Sequence, residues 1–175
     1  MALTIRPAQP GDAAAIAAIY AVHVLTGTAT FDTVPRTPAE IATRIAECRS
    51  RGWPFLVAEE AGQPVGYAYA TQLRDRPAYA ATCEDSIYIA ADRTGQGIGS
   101  RLLAALCGAA EEAGFRQMIA VIGGGEPASV ALHSRLGFRH VGRLHAVGHK
   151  FGRWLDTVYM QRALGEGNPL PPGPA

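Results

Sequence analysis

The sequence, 175 residues long, predicts one α/β domain on three observations. With 48% of the chain hydrophobic and 18% charged, a chain of this length can bury a full core and still keep an internal cleft. Runs rich in β-formers alternate along the chain with stretches of helical periodicity. One alternation places the glycine-rich TGQGIGS, Thr94 to Ser100, between a strand and a helix.

Leu3 to Arg6 reads as a short first strand. Pro10-Gly11 turns the chain, and Asp12 is placed to cap a helix whose Ile16, Ile19, Tyr20 and His23 share one face and which ends near Leu25. Thr26 to Thr37 is polar and broken by Gly27 and Pro35, a long loop of the kind that carries function. Thr37-Pro38 supplies the cap and first-turn proline of a second helix running to about Arg51. Pro54 to Glu60 and Pro64 to Gln72, joined by Ala61-Gly62-Gln63, predict an antiparallel hairpin. Cys83 to Ala90 is the next strand, and after the glycine loop a stripe of Leu102, Leu103, Leu106, Ala109 and Ala110 predicts a helix up to Gly114. Phe115 to Ile122 follows as a strand and Pro127 to Leu136 as a helix stopped by Gly137. Phe138 to Val147 and Leu155 to Gln161 close the domain as two strands. The expected boundaries are a domain over 1–164 and a flexible tail over 165–175, where glycine and proline leave little apolar surface to bury.

Composition removes several function classes. Sixteen basic residues against fifteen acidic ones give a formal charge of +1, too little field to hold a nucleic acid or an acidic membrane. Lys150 is the single lysine, which leaves few routes to Schiff-base or phosphate-loop lysine chemistry. Cys48, Cys83 and Cys107 are odd in number and lack CxxC spacing, so they read as small buried hydrophobes rather than as disulfides or zinc ligands. His145 and His149 are spaced suggestively but have no Asp or Cys at ligand spacing, and no metal is expected. No apolar stretch suits a membrane span or a signal core, which points to a reducing cytoplasm.

The glycine loop lets several backbone N–H groups face one anion at a helix N-terminus, enough to hold a pyrophosphate without a cationic side chain. A plain strand-to-helix turn is the competing reading. Neither a Walker loop nor a dinucleotide fingerprint fits its spacing. Together with Cys83-Glu84-Asp85-Ser86-Ile87-Tyr88, Ala120-Val121-Ile122-Gly123, Ser129-Val130-Ala131-Leu132-His133, Leu136-Gly137-Phe138 and Gly148-His149-Lys150-Phe151-Gly152-Arg153-Trp154, it resembles the GNAT acyltransferase superfamily. Within that superfamily the chain is similar, from about Thr4 to Arg162, to phosphinothricin N-acetyltransferases and their methionine sulfoximine-acetylating relatives.

The resemblance implies the GNAT fold, a mixed and splayed central sheet with helices on both faces. It also implies acetyl transfer from acetyl-CoA to the α-amine of phosphinothricin, methionine sulfoximine or methionine sulfone, and assembly as a homodimer. The coenzyme A site would comprise Tyr88, Ile89, Thr94, Gly95, Gln96, Gly97, Ile98, Gly99, Ser100, Glu126 and Ser129. Two residues depart from the family pattern. Thr94 stands where the superfamily has arginine or glutamine, at a cost of ~1 kcal/mol for one missing hydrogen bond. Glu126 replaces an asparagine, and its charge would repel phosphate or else accept from the pantetheine arm.

An amine attacks a thioester only when unprotonated, so the site needs a proton acceptor. The family's catalytic glutamate corresponds to Glu84, whose other reading is a solvated strand residue. Alternation along the strand sends Asp85 to the opposite face, where it reads as a surface charge. A strand N–H near Tyr88 or Ile89 would meet the developing oxyanion. His133 matches a family histidine beside the acyl site and is the second catalytic candidate, with a packed helix histidine as its alternative. For the acceptor, the resemblance assigns Phe31, Arg74, Arg76, Tyr79, Ser86, Val121 and Gly123, the arginines being suited to carboxylate or phosphinate. The segment Phe151 to Leu155 is a candidate for an interface or for the site. The rival readings are a GNAT acting on a protein N-terminus or a polyamine, and a non-catalytic acyl-CoA-binding module in which Glu84 is idle.

Overall fold

The computed structural model describes residues 2–167 and 169. Its elements are β1 (Thr4–Pro7), α1 (Ala13–Thr26), α2 (Pro38–Ser50), β2 (Phe55–Glu60), β3 (Gln63–Gln72), β4 (Thr82–Ile89), α3 (Ile98–Glu112), β5 (Gln117–Gly123), α4 (Pro127–Arg135), β6 (Arg139–Lys150) and β7 (Arg153–Ala163). They build one mixed sheet in the order β1-β2-β3-β4-β5-β7-β6. Only β4 and β5 run parallel, because the glycine loop and α3 carry the chain back over the sheet between them. The expected hairpin pairs Phe55 with Tyr69 and Glu60 with Gln63.

Alternation along the strands divides the apolar residues between two cores. Phe55, Val57 and Tyr67 pack with Ile16, Tyr20, Ile41 and Ile45 beneath α1 and α2. Leu56, Ala58, Ala68 and Ala70 pack with Leu102, Leu103 and Leu106 beneath α3. Fully burying one such leucine stabilises the fold by about 1.5–3 kcal/mol. Cys48, Cys83 and Cys107 are free and buried, as their composition suggested. No helix among the described residues is long and apolar enough to cross a membrane.

Two local expectations are corrected. Asp12 does not cap α1 through its side chain. Its carboxylate instead accepts from the Gln9 N–H at 2.8 Å and from both terminal nitrogens of Arg6 at 2.8 Å, because a short 3-10 turn, Pro10–Asp12, intervenes before the helix. Thr37 does cap α2, accepting from Glu40 N while the Glu40 carboxylate accepts from Thr37 N. The last two strands are longer than expected and close on a tight turn in which Phe151 (φ 52) and Gly152 (φ 72) are both left-handed. A bulge at Ala146 (φ 52) interrupts β6, and the Asp156 carboxylate holds it by accepting from Ala146 N at 3.0 Å. At the C-terminus Gly167 N donates to Leu164 O at 2.9 Å and its residue is buried. The rest of the expected tail, apart from residue 169, lies outside the described residues.

Candidate active site

The site begins where two strands part. β4 and β5 are paired only from Thr82 opposite Gln117 to Asp85 opposite Ala120, whereas β4 stays paired with β3 as far as Ile89 and β5 with β7 as far as Gly123. The gap between Ser86–Ile89 and Val121–Gly123 opens into two adjoining cavities. One, of about 300 Å³, is walled by Glu84, Ser86, Val121, Gly123 and Phe31, with Tyr20, Asp32, Arg36, Tyr69 and Thr157 around them. The other, of about 580 Å³, runs along Tyr88, Ile89, the glycine loop and the start of α4.

Glu84 is the carboxylate on the α1 and α2 side of β4, in line with Ser86 and Tyr88. Burial pushes its pKa above the usual carboxylate value, the neighbouring charge of Asp85 adds to this, and Arg74 opposes it. Asp85 faces the other side, as alternation predicts, but it is not a surface charge. It is 7% exposed, because α4 covers that face and His133 Nε2 lies 3.1 Å from its Oδ2. The other ring nitrogen of His133, Nδ1, is 2.7 Å from the Ser129 carbonyl, and Phe138 packs edge-on against the ring. Burial disfavours the His133 imidazolium, yet the bond and charge of Asp85 together with Ser129 outweigh it, so protonation occurs at higher pH than for a free histidine. Asp85 Oδ1 is buried without a hydrogen-bond partner among the described residues, where it meets the cavity.

The glycine loop is a donor cradle. Gly95 (φ 75) and Gly97 (φ 78) adopt left-handed backbone that other residues rarely take, and a Cβ on either would enter open space. The backbone N–H groups from Thr94 to Ser100 donate to no other described group, Arg101 N being the first to find a helical partner at Gly97 O. Such a row of free donors at the N-terminus of the 15-residue α3 fits a pyrophosphate. Arg93 and Arg135 flank the same cleft. Glu126, the residue whose charge was of concern, lines this cleft and caps α4, its carboxylate accepting from Ser129 N at 2.8 Å.

Residues 5–159 match the family model of the acetyltransferase (GNAT) domain. The chain belongs to the GNAT acetyltransferase family. A phosphinothricin N-acetyltransferase of Alcaligenes faecalis is 50% identical over 168 residues, covering 95% of this chain and 85% of the relative. An L-methionine sulfoximine/L-methionine sulfone acetyltransferase of Pseudomonas aeruginosa is 41% identical over 168 residues, 94% of this chain and 96% of the relative. The crystal structure of a GNAT phosphinothricin acetyltransferase from Sinorhizobium meliloti in complex with acetyl-CoA superposes with a TM-score of 0.95 at 48% identity, covering 98% of this chain and 94% of that one.

This GNAT domain gathers most, but not all, of the residues its sequence pointed to. Phe31, Ser86, Val121 and Gly123 share the smaller cavity with Glu84, and Ser129 and His133 reach its wall from α4. Tyr88, Ile89, Thr94, Gly95, Gly97, Ile98, Gly99, Ser100, Glu126 and Ser129 line the larger cleft, while Gln96 stays outside it, its amide nitrogen 3.3 Å from Asp92 O. Arg74, Arg76 and Tyr79 sit on the exposed loop between β3 and β4 and are not part of the cavity wall. Arg74 comes near enough to act electrostatically on Glu84, and its Nη1 donates to Leu73 O at 3.0 Å.

Sequence reasoning missed a polar cluster opposite Glu84. Tyr20 Oη donates to Asp32 Oδ2 at 2.6 Å, Arg36 Nε lies 3.4 Å from the same oxygen, and the Arg36 guanidinium stands 5.7 Å over the Tyr20 ring. Arg36 is thus the arginine that lines the cavity. Its only advance signal was its place in the long polar loop. His145 also gained a partner that spacing did not show, Asp156 at 3.2 Å on the paired strand. Among the described residues, though, no three His, Cys, Asp or Glu side chains gather to hold a metal.

Proposed function

We propose that this GNAT domain moves acetyl from acetyl-CoA to the α-amine of a small amino acid analogue, with phosphinothricin and methionine sulfoximine or sulfone as the leading acceptors. The observation that carries this is the position of Glu84. It stands on the wall of a cavity that meets the cleft of the free-donor loop at the β4–β5 gap. A carboxylate there, its pKa raised by burial and by Asp85, is a stronger base than a solvated one. The relatives named for these substrates support the substrate class.

In the reaction, a nitrogen–carbon bond forms between the acceptor amine and the acetyl carbonyl, and the carbon–sulfur bond breaks. Glu84 accepts the proton that the amine loses, directly or through a water, and coenzyme A leaves with its sulfur. The loop amides from Thr94 to Ser100 hold the pyrophosphate. Of the two strand amides expected near the carbonyl oxygen, Ile89 N–H is the one aimed into the gap. Ala90 N points the other way, to Val65 O in β3, and His23 Nε2 meets Ile89 O at 2.8 Å from the open side. His133 and Asp85 reach the same cavity from the opposite face of β4 to Glu84.

The β6–β7 hairpin exposes Val141, Leu144, Val147, Phe151 and Trp154. An apolar surface of that kind on an edge strand supports assembly as a homodimer, which sedimentation of the purified protein tests. A cytoplasmic location suits the three unpaired thiols. The reaction is tested by thiol release from acetyl-CoA with phosphinothricin, methionine sulfoximine, methionine sulfone, a polyamine and an N-terminal peptide. Turnover confined to the amino acid analogues supports the proposal. Turnover of the peptide or polyamine alone overturns its substrate class, and acetyl-CoA binding with no turnover overturns the enzyme reading.

A further inference from the structure

The single lysine of the chain has no part in the reaction described above, yet it is buried. Lys150, the last residue of β6, is 4% exposed. Its Nζ donates to the carbonyls of Gly27 at 2.9 Å and Thr30 at 2.8 Å, on a loop far away in sequence. Among the described residues no ion pair joins it to a carboxylate: Asp32 acts on it only at longer range and is itself paired with Arg36. Burying an ammonium is unfavourable, and two carbonyl dipoles offset that only in part. An apolar side chain of similar length would fill the same space without the desolvation, so what the charge contributes here is geometry rather than stability.

That geometry concerns the partition between the two cavities. Gly27, Thr28 and Ala29 wall the larger cleft, and Ala29, Thr30 and Phe31 wall the smaller one. The hairpin braces the same loop at a second point. Gly148 lies so close under the Phe31 ring that a Cβ there would overlap it, and a Cβ on Gly123 would come within 2.8 Å of Thr28 O and 3.1 Å of the Phe31 ring. The loop is therefore seated on two glycines and pulled down by one ammonium.

We propose that Lys150 is a positioning residue for acceptor recognition: its ammonium anchors the partition loop at Gly27 and Thr30, and thereby sets where Thr30 and Phe31 bound the cavity that Glu84 faces. The link to an acceptor rests on the function proposed above, whereas the anchoring is a property of the chain alone, and the experiment separates the two.

Lys150→Met and Lys150→Arg are compared with wild type in thermal melting, steady-state kinetics and amide hydrogen exchange. Lys150→Met is expected to melt within a few degrees of wild type, to raise the acceptor KM about tenfold or more with a smaller change in kcat, and to speed exchange over residues 27–32. Lys150→Arg, which keeps donors and charge, regains part of the KM. A wild-type acceptor KM, or unchanged exchange over 27–32, overturns the proposal, as does a large fall in melting temperature with KM intact. If wild type turns over no amine, the functional reading fails but the exchange comparison still decides the anchor. Should Lys150→Met not fold, an amine-acylating reagent on native wild type, mapped by peptide mass, decides instead. Slow modification of Lys150 relative to the unfolded chain supports the anchor, and equal rates overturn it.

Discussion

His133 Nε2 lies 3.1 Å from Asp85 Oδ2, with both side chains 2% exposed. Consecutive residues of β4 thus hold two different carboxylates: Glu84 faces the cavity, and Asp85 is locked under α4 against an imidazole. Removing one partner of so buried a pair leaves the other charge without compensation. His133→Ala is expected to lower unfolding free energy by about 3–5 kcal/mol, read from urea denaturation at pH 6. The histidine's folded pKa is raised above its ordinary value of 6.5, so its contribution is complete below that value and is lost as pH rises through the folded one. A wild-type advantage over His133→Ala that grows with rising pH would contradict this.

Glu84→Gln keeps the shape of the side chain and removes the proton acceptor. It is expected to lower kcat/KM by about two to four decades, with acetyl-CoA binding kept. Its pH profile should lose the acid limb that wild type shows, since no carboxylate remains to protonate as pH falls. Wild-type kcat/KM from pH 6 to 9 would rule Glu84 out as the base.

Asp85→Asn addresses the tuning of that base. Burial is the larger cause of the raised Glu84 pKa and the Asp85 charge the second. Without that charge the glutamate ionises more easily, so the acid limb of kcat/KM moves to lower pH. The plateau falls as well, because a weaker base takes a proton less readily. A limb that stays in place would show that the two carboxylates do not interact.

Glu126→Ala removes the cap that accepts from Ser129 N. A loss of about 1 kcal/mol in stability is expected, measured by denaturant midpoint. Because the carboxylate is turned to the helix rather than to the loop amides, the acetyl-CoA KM should change by less than about threefold. A large fall in that KM would show that Glu126 repels the cofactor after all.

Gly97→Ala places a side chain at φ 78. The strain amounts to roughly 1–2 kcal/mol, and the added methyl stands where the loop amides face the cleft. A raised acetyl-CoA KM with an unchanged acceptor KM is the expected outcome, whereas equal effects on both would mean that the whole gap had shifted.

Local patterns settled much of this protein. The 2.0 and 3.6 periodicities laid out strands and helices in the right order, Thr37-Pro38 began α2, and the glycine spacing placed a donor cradle at the start of α3. Alternation also put Glu84 and Asp85 on opposite faces without any structure. The motifs, taken together and in order, named the family. These are readings of neighbours along the chain, where one residue's backbone and side-chain preferences suffice.

What covers each face was decided only in three dimensions. Alternation gives the side of a strand on which Asp85 stands but not that α4 brings His133 over it. Spacing shows that Arg36, Arg74 and Arg76 are arginines in loops but not that only the first lines the cavity. Gly148 stands in the sequence only as one residue of a family motif, and that its missing side chain leaves room for the Phe31 ring is visible only in the fold. Lys150 was legible in the sequence only as the single lysine, and its bonds to Gly27 and Thr30 join segments more than a hundred positions apart. Burial and pairing depend on which elements meet, and that is set by the packing of the whole domain rather than by any window of its sequence.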